Sequence, residues 1–210
     1  MIPHSKQLIF FNVKLEDLPD LHRIAFAAAC CERLLPTYYV FAREGGPGNP
    51  SILRSALDEI WNILEGQEVN INKNKTFIQD IECEIQKSED IFTRYDWEAN
   101  LAAYAIIYIL EACIESADLV KIMKIMKNIE DTIYGFIEIQ KDIQNDSTWA
   151  KKSYKEKFKE VKNHPFILRE IAKQNLEVQK LRQKDTLDSN FLQEFQKSST
   201  YNGKSVVNLL

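Results

Sequence analysis

Apolar residues recur along this chain at spacings of three and four, and no stretch alternates apolar and polar residues as a half-buried strand would. The pattern predicts an all-α fold, a single-domain multi-helix bundle with one or two largely buried central helices. A first helix is predicted over roughly Leu18–Leu35, with Asp17 as N-cap and Pro19 in its first turn. Pro36 is expected to break or kink it, helix resuming through Tyr38 and Phe41. Gly45–Pro50 reads as a corner, after which Asn49 and Pro50 start an amphipathic helix that Gly66 ends. Asn70–Asn74 reads as loop, followed by a charged helix from about Thr76 to Lys87.

Trp97–Ser116 is apolar on nearly every side and is expected at the centre of the bundle. From Asp118 to about Gln144 the text is amphipathic, with Leu119, Ile122, Met126, Ile129, Ile133 and Ile137 inward and Lys121, Lys124 and Asp131 outward. Lys151–Lys162 is charged enough for a surface helix or the lead-in to one. Pro165 opens a last firm helix to about Gln183, with Leu168, Ile171, Leu176, Val178 and Leu181 available for burial. The polar run Ser198–Gly203 predicts a loosely ordered tail, so the chain divides into a helical domain, 1–185, and a tail, 186–210.

The 210 residues are 45% hydrophobic and 28% charged, enough for one core and too few for several domains. A net charge of -4 argues against a general nucleic-acid binder or a polybasic membrane-surface protein. Met1–Asn12 lacks the order of a signal peptide, and the apolar window Leu101–Leu110 is shorter than the ~20 residues a bilayer requires. Of the four cysteines, Cys30 and Cys31 are adjacent, and Cys31 and Cys113 lie in apolar helical text, as small buried hydrophobes do. Cys83 lies on a charged helix. A reducing, cytoplasmic setting is expected.

Candidate chemistry concentrates in Ile24–Trp61, where Glu32 and Arg33 interrupt a nearly all-apolar helix. A charge set into such a surface must be paired or must do chemistry. Glu32 projects into the apolar stripe beside Leu21, Ala25 and Ala28, and Arg54 of the following helix is its expected partner. Arg54 and Asp58 are four apart, beside Trp61, so a Glu32–Arg54–Asp58 cluster is expected with Arg33 and Tyr38 as further donors. Its simplest role is to lock the register of the helical hairpin. Asn100, Tyr104, Glu111 and Glu115 form a thin polar seam on the apolar helix. A di-metal bundle would also need Glu-x-x-His elements, and His4, His22 and His164 have no glutamate three residues before them. No metal and no cofactor is expected. Gly45–Gly48 lacks the Lys-Ser/Thr of a phosphate loop, and the mixed charges of Lys121–Lys127 suit a solvated face better than a membrane.

Three segments carry a resemblance. They are Cys31-Glu32-Arg33-x-x-Pro36-x-Tyr38-x-x-Phe41, Arg54-x-x-Leu57-Asp58-x-x-Trp61, and Pro165-x-x-x-x-Glu170-x-x-x-Gln174. In this order and spacing the chain resembles, over Leu15–Leu181, the YjaG-like family of bacterial proteins, a domain of unknown function. The resemblance implies a helical fold and a bacterial cytosolic setting, and it implies no activity. It adds Glu170 and Gln174 to Glu111 as secondary candidates. The residues are read as those of a non-enzymatic protein acting through a protein partner or a homodimer. The alternative is a hydrolase, transferase or ligand sensor built on Glu32, Arg54 and Asp58.

Overall fold

Helix α4 (Asp96–Ile114) lies between α1 (Asp20–Arg43) and α5 (Leu119–Ile143), and the three form the centre of the molecule. The computed structural model describes residues 13–88 and 95–209, and these form nine helices. His4 and the Met1–Asn12 segment lie outside the described residues. Helices α2 (Pro50–Leu64) and α3 (Ile71–Ser88) cover one another and α4, while α8 (Pro165–Arg182) and α9 (Ser189–Ser199) pack on α1. The short α6 (Ser147–Lys151) and α7 (Tyr154–Lys162) connect α5 to α8. Ala25 to Leu35 of α1 and Ala102 to Leu110 of α4 form the middle of the core, with alanines letting the two backbones approach. By length and composition α4 could cross a membrane, but 61% of its apolar window is buried within the protein.

Local chemistry sets most of the helix starts. Asn49 accepts from the Ser51 N–H with Pro50 behind it, Asp118 caps α5, and Ser153 and Glu156 make a capping box on α7. His164 caps α8 through the Phe166 N–H, with Pro165 at the first position.

Four expectations are corrected. Pro36 neither ends nor divides α1, which runs unbroken to Arg43. The proline removes one intrahelical hydrogen bond, and the buried residues around it (Leu34, Leu35, Thr37 and Tyr38) hold the helix through that loss. Asn70–Asn74 is not a loop, because Asn70 accepts from the Lys73 N–H and starts α3 at Ile71. The inward face of α8 holds Ile167, Glu170, Gln174, Glu177, Val178 and Leu181, while Leu168 and Leu176 are about half exposed.

The fourth correction concerns the tail. Residues 186–210 read as loosely ordered from their polar composition, yet Asp188 caps α9 through the Phe191 N–H. Leu192, Phe195, Val206 and Val207 are buried, and the Val206 N–H donates to the Arg33 carbonyl at 3.0 Å. Few large apolar side chains are enough here because each docks fully against the helices beneath it.

Candidate functional site

Two charge clusters flank α1 because Glu32 and Arg33 are consecutive, and consecutive helical residues diverge by about 100°. Glu32 faces α2. Arg54 Nη1 and Nη2 grip its carboxylate at 2.8 and 3.0 Å, and Arg54 Nε donates to Asp58 Oδ1 at 2.8 Å. Trp61 Nε1 donates to Glu32 Oε1 at 2.8 Å, and Gln196 Nε2 of α9 donates to the same oxygen at 3.0 Å. The Glu32 side chain is 8% exposed, that of Arg54 29% and that of Asp58 55%. The cluster therefore opens to water at the Asp58 end and is closed at Glu32. Partial burial works against the Arg54 charge, but hydrogen bonding and charge from Glu32, then Asp58, outweigh it and raise its pKa above the usual guanidinium range.

Arg33 does not join that cluster. Its side chain is fully buried on the other flank of α1, where Glu170 and Glu177 of α8 meet it at 2.8 Å each. Its Nη1 also donates to the carbonyls of Ala29 and Ser199, and its Nη2 to Cys30 Sγ. Gln174 Nε2 and Tyr201 OH donate to Glu170 at 2.9 and 2.7 Å. Burial opposes the Arg33 charge, and the two carboxylates overcome it and hold the guanidinium well above its ordinary range. Burial likewise pushes Glu177 upward against the pull of Arg33. Arg33 shared between two enclosed acids, with the partly exposed Lys173 3.6 Å from Glu177, is a structural clamp.

Tyr38 is also separate. Its ring packs on Phe41 and its hydroxyl lies where a Cβ on Gly48 would stand, so the Gly45–Pro50 corner closes over it. Burial, with Glu84 nearby, pushes the phenol up to about 12. Of the five candidates, Glu32, Arg54 and Asp58 come together, and Arg33 and Tyr38 go elsewhere. The secondary candidates Glu170 and Gln174 meet Arg33, whereas Glu111 pairs with Lys121 at 2.6 Å. Among the described residues no three His, Cys, Asp or Glu side chains converge.

Sequence reasoning missed Glu177, Gln196, Ser199 and Tyr201. A signal existed for the first: Glu170, Gln174 and Glu177 fall at i, i+4 and i+7, one continuous polar stripe on α8. Cys30 and Cys31 are fully buried, and burial pushes both thiols far up, which suits packing rather than redox chemistry. Chemically, Glu32 has donors on both oxygens and lacks the open approach that a general base requires.

Comparison with known proteins gives relatives of the same kind. The chain is 27% identical over 109 residues, 52% of its length, to "Uncharacterized protein YjaG" of Escherichia coli (strain K12). It is 25% identical over 108 residues to the protein of that name from Salmonella typhimurium. These matches span about half the length of the bacterial relatives, 50% in each. A crystal structure of a DUF416 family protein from Shewanella baltica OS155 superposes with a TM-score of 0.79, covering 94% of this chain and 99% of that one. At 22% identity, that likeness speaks for the fold. The sequence pattern of the family described as "Protein of unknown function (DUF416)" matches residues 10–209, and the chain belongs to that family.

Proposed function

We propose that this chain works in the cytosol as a non-enzymatic binding protein, pairing with a second copy of itself through the outward face of α4. The observation that carries the reading is an aromatic stripe on an otherwise buried helix. Trp97 and Tyr104 are 51% and 39% exposed. Tyr108 follows one turn on, stacked on Tyr104 with ring centroids 6.4 Å apart. Exposed aromatics in line on a core helix are the composition of an interface centre.

Charge supports a second copy as the occupant. Asp96 stands at the start of the stripe, while Lys124 stands at its end, its Nζ lying 4.8 Å from the Tyr108 ring centroid. Two-fold antiparallel pairing of α4 with α4 sets each Asp96 end beside the Lys124 end of the second copy and opposes the helix dipoles. The alternative enzyme or sensor built on Glu32 finds less support, since that carboxylate is enclosed and its oxygens are occupied. The four free cysteines, of which Cys30 and Cys31 are buried, suit a reducing compartment.

Light scattering after size exclusion tests the reading. The wild-type chain is expected to run as a dimer, and the Trp97→Ser, Tyr104→Ser double variant as a folded monomer. A wild-type monomer at the highest soluble concentration overturns it.

A further inference from the structure

We infer that the cleft between α5, α7 and α8 is a binding site for a flat, uncharged heteroaromatic ring bearing an amide-like edge, the chemistry shared by nicotinamide and the nucleobases. The cleft encloses about 450 Å³, within the ~300–1,000 Å³ typical of small-molecule sites. Its apolar lining comes from Phe136, Ile137, Val161 and Phe166. Phe136 and Phe166 meet edge to face with centroids 6.0 Å apart; Arg169 already covers the Phe166 ring at 5.2 Å and His164 lies against it at 5.0 Å, so the ring offered for stacking is Phe136.

Part of the polar lining comes from groups that the protein's own bonding leaves free. Gln140 in the last turn of α5 and Gln144, the residue that ends it, both line the cleft, and no described residue bonds to either side-chain amide. Each offers a donor and an acceptor, the pairing that an amide or a pyrimidine edge requires. His164 Nδ1 accepts from the Phe166 N–H at 3.3 Å, so the ring's hydrogen sits on Nε2, where no described residue takes it. Burial, then Lys141, holds this imidazole below its ordinary pKa, which makes it a neutral donor.

Charge sets the class of ligand. Lys141 and Glu160 both line the cleft and face one another at 3.7 Å, so the charges in the wall cancel. Lys141 also binds Asp146 at 3.2 Å, and Lys152 binds Glu160. A charged ligand would have to break these pairs, whereas a neutral ring would not. This inference does not rest on pairing through α4.

Nicotinamide and nicotinate, which differ in an amide against a carboxylate, are the probes, with adenine and uracil beside them. Saturation-transfer and nitrogen-15 correlation spectra on the full chain are expected to show nicotinamide binding at least about tenfold tighter than nicotinate. The side-chain amides of Gln140 and Gln144 are expected to shift, and Gln140→Ala with Gln144→Ala to weaken binding at least about tenfold. Both glutamines lie at the surface, and an unchanged melting temperature confirms that the variant folds. Phe136→Leu, which keeps an apolar lining but removes the stacking ring, is expected to weaken binding likewise. Any one of three results overturns the assignment: no binding of nicotinamide, adenine or uracil up to their solubility, equal binding of nicotinate, or binding indifferent to the glutamines.

Discussion

Arg33 and Glu170 lie 137 residues apart in sequence and meet at 2.8 Å with neither side chain exposed. The contact joins the first long helix to the last third of the chain, and Glu177 and Tyr201 complete it. Removing one member of such a set is costlier than losing an attraction, because the remaining charges stay enclosed without a partner.

Arg33→Leu is therefore expected to destabilise the fold by about 3–5 kcal/mol, measured by urea unfolding. Glu170→Gln keeps the shape and leaves Glu177 to balance the guanidinium, so it is expected to cost less than half as much. A double-mutant cycle between the two positions should give strong coupling. Additive losses would mean that the pair is not held as described.

Glu32 and Arg54 form a pair with one open side, and the asymmetry predicts unequal variants. Glu32→Ala leaves Arg54 with Asp58 alone and strands Trp61 Nε1 and Gln196 Nε2, a loss of about 3 kcal/mol. Arg54→Met leaves Glu32 with the Trp61 and Gln196 donors and fills the space of the arginine stem, so about half that loss is expected. Equal losses in thermal unfolding would show that the fold depends on the Arg54 charge as fully as on the Glu32 carboxylate.

How far the sequence anticipates all this differs between helices. Capping residues and the three-to-four period locate α2, α5 and α8, and a continuous apolar run locates α4, because those signals are local. The course of α1 through Pro36 is not legible, since what carries the helix past the proline is packing supplied by distant residues. The facing of α8 is misread for a related reason. Apolar periodicity assigns Leu168 and Leu176 inward, but the buried Arg33 needs counter-charges, and the Glu170–Gln174–Glu177 stripe turns toward it. The pairing of Glu32 with Arg54 is legible because one short corner joins their helices. The participation of Gln196, Ser199 and Tyr201 is not, since nothing local shows that the C-terminal segment returns to α1.

That return predicts a modest, specific role for Tyr201. Its hydroxyl donates to Glu170 at 2.7 Å, Arg169 stacks 3.8 Å over its ring, and burial keeps the phenol protonated. Tyr201→Phe retains the stack and loses one bond to a buried carboxylate, with an expected cost of about 1.5–3 kcal/mol. Hydrogen exchange should show the loss of protection centred on α9 and the Val206 amide, with α4 unchanged. Uniform loss across the molecule would mean that the C-terminal segment does not open on its own.

Glu98 gives the clearest dependence on pH. It lies fully buried on α4, with its Oε1 3.4 Å from where a Cβ on Gly135 would stand, and neither carboxylate oxygen has a hydrogen-bond partner on another residue. Burial pushes its pKa from 4.5 to about 7, opposed by its own backbone N–H and assisted by Asp96. A carboxyl whose pKa is higher in the folded chain binds its proton more tightly there. Its contribution to stability is complete below the unfolded value of 4.5 and is lost as pH climbs to about 7. The interval corresponds to about 3 kcal/mol. Glu98→Gln cannot ionise, so subtracting its stability profile from the wild-type profile isolates this one group, even though Glu177 is shifted in the same direction. The wild-type chain is expected to lose ground to the variant steadily from pH 4.5 to about 7, and the difference should level off above that. Parallel profiles across the interval would show that the carboxyl finds a partner or water when it ionises, and that the α4–α5 seam is open enough to supply one.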